Sequence, residues 1–356
     1  MGREAEVDVL PAVSSTRQPG YVRLVVPDVL RGIAIVAMLI AHAAPFVPER
    51  PAAVSFVTAM FSELASPLFA LVMGMSAQLV WQRSPRVPVT LLQQVIRGLF
   101  LVALGVWMAT WGSWVAVVLA HLGVLLIVGA PLLLARTPWV IAITAAVLIA
   151  SDPLVRLARG WEWAHGAAVP LRDVLDWAIM SPHYRLINLL PFFLIGGLLI
   201  RHGLRRDRLL VVTVAVAVVS YLAWGVVSRT DVVQSESGYY LDTLKDVGLV
   251  FAVYVLVVLA ATARREGAKR FWHPIFVPLI ACGQVALSLY LLHVGIIALY
   301  ARAYGRPTEN FWPGWLLIVP GMVLVGWLWW RFVGTGPVEW VMGWLTGRRK
   351  PLLRHR

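Results

Sequence analysis

The sequence predicts an all-α, polytopic integral membrane protein with about ten transmembrane helices and both termini cytoplasmic. Three observations lead there. Of 356 residues, 60% are apolar and only 14% charged, with a mean hydropathy of +0.77. Soluble domains average about 45–50% apolar and about 25% charged residues, so no water-soluble core can hide this surplus. The apolar residues also fall into runs long enough to cross about 30 Å of hydrocarbon. Finally, basic residues are spread unevenly over the connections between those runs. Together these exclude a soluble enzyme, a disordered chain and a coiled coil.

Residues 1–22 read as a polar cytoplasmic leader, because the first apolar run starts only near Val29, too late for a signal peptide. Residues 23–345 form the transmembrane domain and 346–356 a basic cytoplasmic tail. The predicted spans are 29–48, 64–82, 90–111, 113–134, 137–152, 187–201, 209–228, 246–263, 274–300 and 314–333. With the N-terminus inside, 20 of the 31 Lys and Arg residues fall on the cytoplasmic side and nine outside, while Arg31 and Arg97 lie within spans. That bias obeys the positive-inside rule. The net charge of +13 and the pI of 10.7 are therefore a topology signal, with Arg348–Arg356 placed to touch anionic lipid. No nucleic-acid partner is expected. Three lysines against 28 arginines hint at a GC-rich bacterial genome, and so at a bacterial cytoplasmic membrane.

Cys282 is the only cysteine, which rules out a disulfide framework and a thiolate metal cluster; inside an apolar run it reads as a buried structural thiol. No His/Glu spacing suits zinc and no glycine-rich phosphate loop is present, so no metal is expected. No internal repeat supports an inverted-repeat transporter. The long outer connection, about 153–186, holds Trp161, Glu162, Trp163, His165, Asp173, Asp176, Trp177, His183 and Tyr184. Either its Trp residues are only interfacial anchors, or the connection forms a lid or an acceptor-binding surface.

Ionisable groups inside a span cost roughly 2.5–3.5 kcal/mol each and point to function by default. The first span holds the densest set. Asp28 suits a helix N-cap and can pair with Arg31 three residues on. Arg31 and His42 are eleven residues apart, about 1100° around a helix, or about 20° past three full turns. One stripe therefore presents a cation near the cytoplasm and an imidazole about 16 Å deeper. Arg31 either snorkels to headgroups or serves a site, and His42 either packs or reacts. Arg97 lies too deep to snorkel easily and needs a partner or a cavity. His121, Ser288, Tyr290 and His293 serve either helix–helix contacts or a site. Glu63, Ser66 and Pro67 open the second span, where a simple cap explains them as well.

The Asp28, Arg31-(ten residues)-His42 pattern resembles the opening of the acyltransferase type 3 family of membrane O-acyltransferases. Ser66-Pro67-Leu68-Phe69, Met73-Gly74-Met75-Ser76 and the stretch from Gly283-Gln284 to Tyr290-Leu291-Leu292-His293 are similar to the heparan-alpha-glucosaminide N-acetyltransferase group. Gly336-Pro337-Val338-Glu339-Trp340 resembles the C-terminal signature of a related uncharacterised bacterial membrane family. There are departures. The heparan enzymes carry Asn at the place of His42 and a catalytic His in the next outer loop, whereas this chain has no His between Ala43 and Ala120; Gly343 stands where the C-terminal signature has Arg.

The resemblance implies a fold of ten or eleven helices and transfer of an acetyl group from cytosolic acetyl-CoA to a sugar hydroxyl or amine across the membrane. Acetyl-CoA is then a substrate and the acceptor an envelope sugar or glycolipid. Arg31, Arg83, Arg86 and Arg97 would hold the donor. His42 would act as general base or acylated nucleophile, with His293 and Tyr290 orienting it or binding the oxyanion. A transporter or flippase for a lipid-linked sugar, and an inactive scaffold, are the rival classes. Monomer and homodimer fit the sequence equally.

Overall fold

The computed structural model describes residues 25–84, 86–230, 237–263 and 265–347. The expected leader and most of the tail, with Arg348–Arg356, lie outside them. The described residues are helical and contain no strand. Helix α1 spans Val25–Ala43 and ends in a 3-10 turn, Ala44–Phe46. Then come α2 (Ala52–Arg83), α3 (Val87–Ala109), α4 (Leu119–Leu132) and α5 (Thr137–Arg159). The short helices α6 (Glu162–His165) and α7 (Leu171–Leu175) and a π turn, Asp176–Met180, cross the long connection. Helices α8 (Leu186–His202), α9 (Arg208–Val227), α10 (Tyr240–Ala261), α11 (Glu266–Gln284) and α12 (Ala286–Tyr304) follow. The chain closes with α13 (Trp312–Leu316), a π turn (Leu317–Gly321), α14 (Met322–Phe332) and α15 (Pro337–Leu345).

Local chemistry explains many of these boundaries. Pro88 and Pro138 stand in the first turns of α3 and α5, where no backbone donor is lost. Asp207 caps α9, accepting from the amides of Leu209 and Leu210 at 3.1 and 3.3 Å. Among the described residues, eight segments are long and apolar enough to cross a membrane, and α4 and α8 are shorter apolar helices. These match the ten expected spans in order, with corrections at their ends.

The expected span 274–300 is not one helix. It breaks at Val285, whose φ of −114° and ψ of 26° leave the helical region, to give α11 and α12. Helix α4 has only 14 residues, about 21 Å, and residues 113–118 run non-helically to reach it. Helix α2 starts twelve residues before the expected span, so Glu63, Ser66 and Pro67 lie inside it rather than at a cap. Likewise Asp28 stands in the first turn of α1, after Val25, and is not its N-cap. Lys245, expected in a loop, lies in α10, where it binds Glu63 at 3.2 Å and Asp242 at 2.9 Å.

Arg201 of α8 ties α2 to the turn between α4 and α5 at one end of the bundle. Its guanidinium donates to Gln78 Oε1 at 3.0 Å and to Ala135 O at 2.9 Å, beside the start of α5. This basic end also carries Arg83, Arg86, Arg136 and Arg206. The far end is closed by an aromatic cluster in which Phe46 meets Trp114 at 5.2 Å and Tyr300 at 5.0 Å. Between them the helices approach through small residues, as membrane helices do. A Cβ on Gly74 of α2 would stand 1.8 Å from Phe193 O of α8, and one on Gly196 of α8 would stand 2.0 Å from Leu71 O. A second close crossing joins α1 to α11, where a Cβ on Gly32 would fall 2.0 Å from Leu279 O. Helix α9 lies at the rim; Val211, Val219, Leu222 and Val226 are exposed there, as a lipid-facing surface requires.

Gly74→Val should therefore lower the melting temperature of the detergent-solubilised protein sharply, since backbone must move, at a cost of about 1–3 kcal/mol or more. Gly225→Ala, with no atom within 4 Å of the added Cβ, should leave it unchanged. Equal melting temperatures for the two variants would contradict the α2–α8 crossing.

Candidate active site

Two histidines from helices far apart in sequence meet in the bundle. His42 Nδ1 lies 2.8 Å from His293 Nε2, and the rings stack with centroids 5.1 Å apart at 15°. His293 is fully buried, and its Nδ1 lies 2.9 Å from Leu289 O. A carbonyl oxygen only accepts, so His293 Nδ1 carries a proton. In the neutral ring Nε2 is then an acceptor, and His42 Nδ1 must be the donor to it. That chain of assignments leaves His42 Nε2 with a free lone pair. Trp114 Nε1 donates to His42 O at 3.2 Å, which anchors the non-helical 113–118 segment against α1. Tyr290, one turn before His293, faces both rings edge-on at 6.3 and 5.4 Å. Its hydroxyl accepts from Val118 N at 3.3 Å, leaving its own proton available to another partner.

His42 lines one of two cavities, and Tyr290, whose ring faces both histidines, lines the other. The inner one, about 840 Å³, extends from Tyr290 towards the basic end, with Arg31, Ser76, Gln94, Arg97, Gln284 and Glu339 as its main polar lining. Arg31 is held by Ser76 Oγ at 2.7 Å and by Asp28 Oδ1 at 3.4 Å. A guanidinium fixed in this way is pre-oriented for an anion. The outer pocket, about 160 Å³, holds His42, Ser62, Ser66, Trp114, Tyr184 and Arg306. At the liquid share of about 30 Å³ per water, that is room for about five waters. Phe69 and Val118 line both spaces and form the partition between them. Burial pushes the Tyr184 hydroxyl up to about 12, so it stays neutral and able to donate.

The floor of the inner cavity comes from the C-terminal helix. Glu339 of α15 reaches the start of α12, where Oε1 accepts from Leu287 N at 2.6 Å and Ser288 N at 3.1 Å, and Oε2 accepts from Ser288 Oγ. Val338 N donates to Ser288 Oγ at 3.1 Å in return. The break at Val285 exposes backbone donors, and a carboxylate from fifty residues downstream satisfies them. Desolvation raises the Glu339 carboxyl above the usual carboxylate range despite these bonds. A Cβ on Gly336 would clash with Glu339 Oε2 at 2.0 Å, which accounts for the glycine.

The sequence-derived candidates divide clearly. His42, His293 and Tyr290 converge, and Arg31 and Arg97 line the inner cavity. Arg83 and Arg86 are exposed on the α2–α3 turn and are not among the cavity's lining residues. His121 is buried against Tyr184, with ring centroids 5.7 Å apart, and stands outside both linings. Ser288 serves the Glu339 cap. Cys282 is fully buried, as expected of a structural thiol. Glu63, Asp242 and Asp246 bring oxygens within 4.8 Å of one another around Lys245, an ion network between α2 and α10. Of the long connection's aromatic residues, Tyr184 lines the outer pocket. Sequence reasoning missed Gln94, Trp114, Arg306 and the role of Glu339. Only Gln94 left a trace, three residues before Arg97 on one helix face.

The family model described as an acyltransferase domain, the acyltransferase type 3 family, matches residues 25–331. No curated protein matches the chain.

Removing the α12 cap should cost about 1–3 kcal/mol, the price of unmet buried donors. Glu339→Ala should accordingly melt several degrees below wild type, and Glu339→Gln, which keeps one acceptor oxygen, at an intermediate temperature. A Glu339→Ala protein as stable as wild type would contradict the cap.

Proposed function

Because the chain belongs to the acyltransferase type 3 family of membrane acyltransferases, we propose that it moves an acetyl or other acyl group from cytosolic acyl-CoA to a hydroxyl or amine of an envelope sugar or glycolipid on the outer side. The observation that carries this reading is the free Nε2 of His42, set by the His293–Leu289 chain, in a residue that lines the outer pocket beside Tyr290, which lines the inner cavity. The basic end faces the cytoplasm in this reading, and the membrane is the bacterial cytoplasmic one. The donor enters the inner cavity, its phosphates held by Arg31 and Arg97, with Arg83 and Arg86 guiding it at the entrance. Its thioester then reaches Tyr290.

The acceptor occupies the outer pocket, its sugar ring against Trp114 and its hydroxyl at His42 Nε2. The acceptor oxygen attacks the thioester carbonyl while its proton passes to His42 Nε2. His293 Nε2 stabilises the resulting imidazolium through the Nδ1 proton of His42. The Tyr290 hydroxyl donates to the oxyanion. Collapse breaks the carbon–sulfur bond, and the proton on His42 goes to the departing thiolate. The same lone pair serves if His42 is itself acylated first; a trapped acyl-imidazole would identify that route.

His42→Ala should lower transfer by about 10²–10⁴-fold while leaving the protein folded. Near-normal turnover in that variant would remove His42 from the chemistry. For the donor, acetyl-CoA should stabilise purified wild type saturably and Arg31→Ala much less. A folded wild type that no acyl-CoA stabilises would overturn the donor assignment.

A further inference from the structure

The outer pocket holds a charge that the chemistry at His42 does not use. Among its described lining residues Arg306 alone carries a fixed charge, and no carboxylate lines the space with it. Arg306 makes no hydrogen bond or ion pair among the described residues. Arg50, on the connection after α1, is by contrast tied to Ala44 O at 2.9 Å. Two neutral donors share the lining, the hydroxyls of Ser66 and Tyr184, and neither has a hydrogen-bond partner among the described residues.

The backbone presents Arg306 from a fixed place. It follows Gly305, whose φ of +74° ends α12 in a turn that favours glycine. Further along the same connection, Glu49 N donates to Asn310 Oδ1 at 3.0 Å, and Asn310 Nδ2 donates to Glu49 O at 3.1 Å. Phe311 N donates to Phe46 O at 2.6 Å, and the Phe311 ring stacks on Tyr300. The connection is thus pinned to the end of α1 that carries His42. Nearby carboxylates do not neutralise the guanidinium. Glu63, on α2 between Ser62 and Ser66, is bridged by Lys245 at 3.2 Å and lies outside the lining. Glu309, on the same connection as Arg306, forms no ion pair with it.

The size of the pocket sets how far apart the charge and the chemistry can be. With room for about five waters, whatever meets Arg306 lies within about one sugar unit of the hydroxyl at His42. A guanidinium offers a planar fork that fits a carboxylate or a phosphate equally well.

We propose that the acceptor is an acidic sugar: the unit that is acylated, or one joined directly to it, carries a carboxylate or phosphate that Arg306 binds. The Ser66 and Tyr184 hydroxyls donate to the same sugar. This rests on the acyl-transfer reading above and adds the chemical class of the acceptor. It makes Arg306 a residue that selects the acceptor by charge.

The test compares full-length, detergent-purified wild type, Arg306→Gln and Arg306→Lys. Acetyl-CoA is the donor, and methyl glucuronide, glucose 1-phosphate and methyl glucoside are the acceptors. Wild type should favour at least one acidic acceptor over the glucoside by about 10- to 100-fold in kcat/KM, as for a hydrogen bond to a charged group. Arg306→Gln should bring that ratio close to one, chiefly through KM. Arg306→Lys keeps the charge but not the fork and should fall between. A preference for one acidic acceptor alone would identify the anion as carboxylate or as phosphate. Equal use of the glucoside and the acidic acceptors by wild type, or a preference that survives in Arg306→Gln, would overturn the proposal. So would a wild type that acetyl-CoA stabilises but that acetylates neither acidic acceptor, and the donor reading would then stand. A wild type that binds no CoA thioester takes down the reading on which the proposal rests.

Discussion

A hydrocarbon environment gives an unpaired backbone amide nowhere to turn, and much of this structure is organised around that constraint. The break at Val285 creates such amides at the head of α12. Glu339 answers them from the C-terminal helix, and in doing so fixes where α12 begins and where α15 lies. Tyr290 and His293 are carried on α12, one and two turns from that cap. Their meeting with α1 therefore depends on a contact made near the basic end, at the floor of the inner cavity. The non-helical 113–118 stretch obeys the same rule, with Val118 N bound by Tyr290 and the Trp114 indole bound to His42 O.

The same constraint shapes the chemistry. Each ring nitrogen in the dyad is committed by the atom that faces it, until only His42 Nε2 is left over. A lone pair isolated among apolar helices is reactive because few other groups compete for it. Phe69 and Val118 line both cavities and stand between them. The cost is a site with narrow tolerance. Among the described residues the dyad meets no carboxylate, and its ring contacts are an imidazole nitrogen and a backbone carbonyl.

Part of this site was legible before any coordinates. The Arg31–His42 stripe follows from helical periodicity alone, and the cost of burying ions marked Arg97, His121 and His293. Periodicity acts within one helix, however, and cannot pair residues 251 positions apart, as His42 and His293 are. It could not separate His293, which meets His42, from His121, which faces Tyr184 outside both cavities. Trp114 falls in the expected span 113–134, whose first six residues the structure leaves non-helical, and Arg306 lies in a connection whose sequence carries no period, so nothing marked either for the site. Glu339 stood within a recognised stretch, but its role requires the position of α12.

The amino-acid sequence by itself determined the solvent, the helical class, the order of ten apolar spans and the bias of basic charge to alternate connections. These follow from composition and from local hydrophobic runs, which are additive along the chain. Only the tertiary structure decided that span 274–300 divides in two, that Glu63 and Lys245 pair inside the bundle, and that Gln94 faces a cavity with its amide unmet. Each of those depends on what a second helix brings to the same point. Contacts between helices are settled by packing and by the pairing of polar groups, neither of which any single segment encodes.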